Sequence, residues 1–279
     1  MDIFPYWYAA FGLIIGSFLN VCIYRLPRRD SIVFPGSHCP QCGKAVRAYD
    51  NIPVLSWLLL RGRCRFCGER ISLQYPLVEL LTGIGFYTCV SQWGATAPTF
   101  VNSLFLSIIL VLIFTDYHHQ ILPNALTLPG AGFGILLCAF QAPSLLRDPG
   151  DLLASYVAGL VFAPNPDAVL PWVSSLLGVL AGGGMLLAVA LAYQAVRKRQ
   201  GLGMGDVKMM AMVGAFLGWR LAVLTIFLGS FLGGIIGVML IAFGGRTMQS
   251  KLAFGTFLGA AAILFLFFGP AFLQWYMPA

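Results

Sequence analysis

Long apolar runs separated by short polar stretches set the pattern of this chain. They fall at roughly 4–24, 76–92, 100–115, 125–140, 169–196, 209–219, 221–243 and 253–275. Lengths near 20 residues suit a hydrocarbon core of about 30 Å, and so the pattern predicts about eight transmembrane helices. The 11-residue run at 209–219 is too short alone and must borrow from the glycine-rich stretch before it. The first run has no positive segment before it and no small-residue cleavage site after it, so it reads as a retained span rather than a signal peptide. A further apolar piece at 152–162 is short and reads as a re-entrant or surface segment.

Composition agrees with this pattern. The chain is 59% hydrophobic and 10% charged, with a mean hydropathy of +0.84, where soluble domains are about 25% charged. The net charge of +7 raises the question of nucleic acid, but the basic residues follow the membrane instead. In an eight-span arrangement 15 of the 17 Lys and Arg residues fall on the side that holds residues 25–75, leaving only Arg147 and Arg220 opposite. That bias assigns the 25–75 loop to the cytoplasm and both termini to the outer side. Attraction of the same positive charges to anionic membrane lipid is compatible with this topology.

The loop carries Cys39-Pro-Gln-Cys42 and Cys64-Arg-Phe-Cys67, with 21 residues between the pairs. Each C-x-x-C knuckle aims two thiolates at one ion, Gly43 and Gly68 suit the tight turns that follow, and the spacing is that of a four-cysteine zinc site. About 50 residues bury too little apolar surface to fold well alone, so a structural metal cross-link supplies stability. A reducing cytoplasm disfavours disulfides. His38 is an alternative ligand, although a solvated loop histidine is the simpler reading. Cys22, Cys89 and Cys138 lie in apolar spans and read as small hydrophobes. The expected organisation is a first transmembrane helix at 1–24, a four-cysteine domain at 25–75, and a transmembrane core at 76–279 with an outer-side insertion around 142–168.

Two of the ten acidic residues, Asp116 and Asp206, sit where an apolar run meets a membrane surface. A carboxylate there is costly to ionise, which marks both as functional candidates. Asp116 ends an inward-running span and Asp206 begins an outward-running one, so both lie at the cytoplasmic face. Asp206 follows Gly201, Gly203 and Gly205, which let the backbone bend and approach closely beside a cavity. Helix capping is the plain alternative for Asp206 and a weaker one for Asp116, whose position at a helix end disfavours negative charge. If the two meet, they share one proton: one carboxylate activates water while the other, protonated, hydrogen-bonds the scissile carbonyl. Spacing cannot show that they meet, since 90 positions separate them. No G-x-S-x-G or H-E-x-x-H element competes, and His118 and His119 diverge on a helix.

The chain resembles the type IV prepilin peptidases, bacterial inner-membrane leader peptidases that often double as N-methyltransferases. The resemblance rests on Gly16-Ser-Phe-Leu-Asn-Val21, the paired C-x-x-C loop, Tyr49-Asp-Asn-Ile-Pro-Val-Leu-Ser-Trp57, Tyr75-Pro-Leu-Val-Glu-Leu-Leu81, the Asp116 segment ending in Leu122-Pro-Asn124, and Gly203-Met-Gly-Asp-Val-Lys208. The resemblance implies an all-α polytopic membrane protein with a GxGD-type aspartyl protease core and Asp116 and Asp206 as its catalytic dyad. It further implies cleavage after a glycine, between the basic leader and the hydrophobic helix of prepilins and type II secretion pseudopilins. S-adenosylmethionine-dependent methylation of the new amino terminus is also implied, although no G-x-G-x-x-G or strand-helix pattern marks a nucleotide fold.

Glu79, just inside the second span, reads either as a group near the substrate amine or methyl donor or as a helix-start cap. Lys208 points to another side of its helix from Asp206 and stays outside the catalytic set. Arg25, Arg28 and Arg29 read as membrane-surface anchors, and residues 49–57 as the segment that packs the loop. Two other classes remain open on the sequence: a proton-coupled transporter using the aspartates as relays, and a metal-bearing assembly factor without catalysis. Oligomeric state is not readable from the residues.

Overall fold

The structure is a computed structural model that describes residues 3–146, 151–161, 166–198, 202–244 and 252–276. Arg147, Arg199, Arg246 and Lys251 of the charge count, Gly201, and parts of the 142–168 insertion lie outside these residues. Among the described residues every regular element is helical, with two isolated bridges and no named strand. Five helices are long and apolar enough to cross a membrane: α1 (Phe4–Arg25), α4 (Ala97–His119), α8 (Pro166–Arg197), α9 (Met204–Gly244) and α10 (Phe254–Tyr276). The remaining helices are α2 (Leu55–Leu59), α3 (Gln74–Trp93), α5 (Asn124–Leu137), α6 (Pro143–Leu146) and α7 (Leu152–Val161). The protein is therefore an all-α polytopic membrane protein. Contacts divide it into two compact units, 1–111 and 112–279, with the boundary inside α4.

In the first unit α1 packs along α3 through small residues, as lipid-embedded helices do where no hydrophobic effect drives them together. A side chain at Gly12 would strike Phe86, and one at Gly16 would meet the Glu79 backbone at 2.6 Å. Tyr8 stacks on Phe86 at 5.2 Å and donates a hydrogen bond to Ser103 Oγ of α4 at 3.0 Å. Cys22 and Cys89 are buried as small apolar groups. Between α1 and α3 lies the loop, held internally by its own turns and by α2.

In the second unit α8 and α9 come so close that Gly178 and Gly214 meet backbone to backbone, where no side chain fits on either. The long α9 run is broken at Gly218 (φ 79°, ψ 172°). The sequence reads as two spans here, 209–219 and 221–243, with Arg220 between them; the positive φ falls instead two residues earlier, on the glycine that tolerates it. The carbonyls released at the break are not left bare in an apolar setting. Ser175 Oγ donates to Ala215 O at 2.9 Å and Gln141 Nε2 donates to Phe216 O at 3.2 Å. Asp151 accepts from Trp219 Nε1 just after the break and from Ala154 N at the start of α7. At 10 residues α7 is too short to cross, and it buries Ala154 and Ala158 with Leu170 and Val173 of α8. The short 209–219 run does extend back into the glycine-rich stretch, starting at Met204.

Candidate active site and metal centre

Three helix ends in the second unit bring the acids together. Asp116 lies in the last turn of α4, which continues past it to His119, so the residue is inside the helix rather than ending it. Asp206 lies in the first turn of α9, where a negative charge faces the positive end of the helix dipole. The first turn of α10 supplies Gly255 and Thr256. Both aspartates are buried, at 5% and 9% exposure. A Cβ at Gly255 would lie 3.0 Å from Asp116 Oδ2 and 3.1 Å from Asp206 Oδ1, so the two oxygens are no further apart than those distances combined. Two acids ninety positions apart in sequence are thus brought to the two sides of one glycine.

Each carboxylate has its own supports. Thr256 donates to Asp116 Oδ2 from its backbone N at 2.7 Å and from Oγ1 at 3.2 Å, and its hydroxyl also reaches Ile113 O at 3.3 Å. Asp206 N donates to Gly203 O at 3.1 Å, and a Cβ on Gly203 would lie 3.2 Å from Asp206 Oδ2. At Gly205 a side chain would press on Leu122 at 3.0 Å, so the glycines serve close approach, as their density in the sequence predicts. Lys208 turns away and donates to Asn124 Oδ1 at 2.9 Å, tying α9 to the start of α5. His118 and His119 are exposed. Gly255 and Thr256 escape a sequence reading: a glycine and a threonine opening an apolar helix look like an ordinary helix start.

In the first unit the four cysteines form one cluster, their sulfurs all within 4.8 Å of one another. The two knuckles fold alike. Gly43 N donates to Cys39 O at 2.9 Å and Gly68 N to Cys64 O at 3.0 Å, both glycines having positive φ (67° and 71°). Each turn is closed by a return bond, Cys39 N to Lys44 O at 3.0 Å and Cys64 N to Glu69 O at 2.8 Å. Cys39 and Cys67 sulfurs are 3.8 Å apart. That matches the edge of a tetrahedron with metal–sulfur bonds of about 2.3 Å, about 3.8 Å. The donor set therefore fits a tetrahedral thiophilic ion. His38 is outside the cluster, its Nδ1 3.0 Å from Gly36 O. The second knuckle is tied to residues 48–51 by Arg65, whose forked guanidinium binds both oxygens of Asp50 at 2.6 and 2.9 Å and holds that carboxyl below the usual carboxylate range.

Two residues differ from their sequence readings. Arg25 is not a surface anchor: it is buried at 8% exposure, and its guanidinium donates to Ser31 O at 2.8 Å and Pro35 O at 2.6 Å, bracing the loop where it leaves α1. Glu79 does not cap its own helix, since α3 begins a turn earlier. Buried at 6% exposure, it accepts from Val54 N at 2.8 Å and so holds a non-glycine residue at φ 62°, immediately before α2. Arg28, by contrast, is exposed and lies over the Tyr24 ring at 3.7 Å.

A polytopic helical membrane protein with two buried carboxylates at adjoining helix ends, and a four-thiol knuckle in a separate unit, defines a restricted class. Residues 10–93 match the bacterial peptidase A24 N-terminal domain and residues 103–238 match the type IV leader peptidase family. The chain is 34% identical over 282 residues to a prepilin leader peptidase/N-methyltransferase of Pseudomonas putida, covering 92% of this chain and 88% of that one. It is 34% identical over 297 residues to the like-named protein of Aeromonas salmonicida, covering 96% and 91%. To that of Myxococcus xanthus it is 37% identical over 235 residues, 84% of this chain and 62% of the relative. Among solved structures none is significantly similar. The chain belongs to the type IV leader peptidase family.

Proposed function

We propose that this protein cleaves the basic leader from prepilins and pseudopilins after a glycine, with Asp116 and Asp206 as the catalytic pair, and then N-methylates the new amino terminus. The observation that carries the peptidase reading is the convergence of the two buried carboxylates on Gly255. Two carboxyls so close hold one proton between them, since both cannot easily ionise in a poorly solvated site. The charged partner removes a proton from a water molecule; the protonated one hydrogen-bonds the scissile carbonyl, and the roles exchange as the amine departs. No covalent intermediate forms. The cleaved bond lies at the cytoplasmic interface, because a basic leader stays in the cytoplasm while its apolar helix stays in lipid. The bias of Lys and Arg toward the 25–75 side supports that orientation. Relatives bearing both activities in their names support the pairing of cleavage with methylation, and none supports the transport alternative.

Zinc is the ion we assign to Cys39, Cys42, Cys64 and Cys67, where four thiolates leave no open position for a substrate and make the site structural. S-adenosylmethionine is the assigned methyl donor. The deciding experiment is leader removal from a purified prepilin by the full chain in detergent or lipid. Asp116→Asn and Asp206→Asn should each lower the rate by at least about 10³-fold, as loss of one member of a unit does, while the parent cleaves. Full activity in either variant would remove the pair from the chemistry.

A further inference from the structure

Residues 31–35 form a tight loop just after α1 that turns its largest apolar side chains outward. Val33 is 67% exposed and Phe34 77%, yet the backbone beneath them is fixed. Ser31 Oγ accepts from Val33 N and Phe34 N, each at 3.3 Å, and Pro35 has no N–H to satisfy. The Arg25 guanidinium donates to Ser31 O and Pro35 O, so one buried cation clamps both ends of the loop to α1. Val33 and Phe34 therefore stand out because the loop is held that way, not because it frays.

The loop lies beside the membrane-spanning part of α1. Ile32, Val33 and Pro35 line a hollow of about 360 Å³ whose other wall runs from Arg25 to Phe18 and Ile14. Ile14 is 11 residues before the end of α1, about 16 Å along the helix axis at about 1.5 Å per residue. Bare backbone groups are costly at that depth, and the bonds made by Ser31 and Arg25 cover two N–H groups and two carbonyls. A second apolar surface is fastened in the same way. Leu55, Leu58 and Leu59 of α2 share one face, at i, i+3 and i+4, and are exposed, Leu59 at 82%. Val54, immediately before α2, donates from its backbone N to Glu79, and the Glu79 backbone rests against Gly16 of α1, again below the helix end. Exposed Arg28 and Arg29 precede the first surface in sequence, and exposed Arg61 and Arg63 follow the second.

Apolar side chains standing out from clamped backbone, level with a membrane span and flanked by cations, suit a surface that sits in lipid: the tips meet acyl chains and the cations meet phosphate. We infer that the four-cysteine loop docks on the bilayer through Val33 and Phe34 and through the Leu55, Leu58 and Leu59 face, with anionic phospholipid as its partner. Arg25 and Glu79, buried on α1 and α3, set the height of the two prongs. The cysteine cluster is thus carried at the membrane surface rather than on a free loop. This docking depends on neither proposed activity.

The test adds one indole to each prong of the full chain, Phe34→Trp and separately Leu59→Trp, in nanodiscs of phosphatidylcholine and phosphatidylglycerol. Both positions are open, so each variant should keep the circular dichroism and melting temperature of the parent. Emission of the variant minus that of the parent reports the added indole. Brominated acyl chains should abolish most of that difference, while aqueous iodide should leave most of it. Free access of iodide with no response to bromine, at either position, overturns the docking. Emission that ignores the lipid and changes only when prepilin is added gives the surface to the substrate and overturns it equally. Nanodiscs of phosphatidylcholine alone should admit more iodide, and equal protection there overturns the choice of anionic lipid.

Discussion

A methyl group at Gly255 would press on Asp116 Oδ2 at 3.0 Å and Asp206 Oδ1 at 3.1 Å, closer than ordinary carbon–oxygen contact. Asp116 cannot retreat freely, because Thr256 holds its Oδ2 from both the backbone N and Oγ1. Gly255→Ala should therefore leave the helix intact, since alanine is the better helix former, yet displace one carboxyl enough to lower kcat by roughly 10²-fold. KM should change little, because the contact lies with the reacting groups rather than along the substrate. Prepilin-cleavage kinetics checks this, and a parent-like kcat would mean that the pair tolerates a wider spacing. The identities of the two acids were legible in the sequence through the cost of a carboxylate beside hydrocarbon. Their meeting was not, nor was the part played by Gly255 and Thr256, because only packing brings the start of α10 against the end of α4. Arg25 was misread for a related reason. A basic residue at the end of a span ordinarily faces phosphate, and only the path of the loop turns three backbone carbonyls toward it.

Among the elements, α9 shows how a helix can be broken without stranding its polar groups. The break depends on Gly218, whose φ of 79° is unfavourable for any side chain and whose Cβ position lies 3.0 Å from Ser174 Oγ. Gly218→Ala should destabilise the protein by about 1–3 kcal/mol, read as a lower melting temperature in detergent. The cysteine knuckles make the opposite case. Their turns, their glycines and the gathering of four thiols follow from spacing, because two C-x-x-C pairs leave few ways to bring four thiols together. Purified protein should carry about one zinc per chain, and Cys39→Ser or a strong chelator should remove it and open residues 25–75 to proteolysis. Full zinc occupancy in Cys39→Ser would undo the ligand assignment. Helix positions were legible from hydropathy to within a few residues, although five of the described helices, not eight, are long and apolar enough to cross a membrane. The break in α9 was displaced because a charge is conspicuous in an apolar run while the backbone angle of a glycine is not.

For the molecule as a whole, the carboxylate pair and the cysteine cluster belong to different compact units, 112–279 and 1–111. Cleavage and methylation should then be separable in one direction and ordered in the other. Methylation needs a free amino terminus, which an intact prepilin does not offer at the bond in question; the pair must act first. Asp206→Asn should accordingly yield neither cleaved nor methylated product from intact prepilin. Given pilin already shortened at the glycine, the same variant should transfer the methyl group at close to the parental rate, because the amine is already free. Mass spectrometry of the pilin amino terminus distinguishes the cases by one added methyl group. If Asp206→Asn fails on the shortened substrate as well, while its zinc content and melting temperature match the parent, the two chemistries share the aspartate. If it succeeds, cleavage is needed only to create the amine.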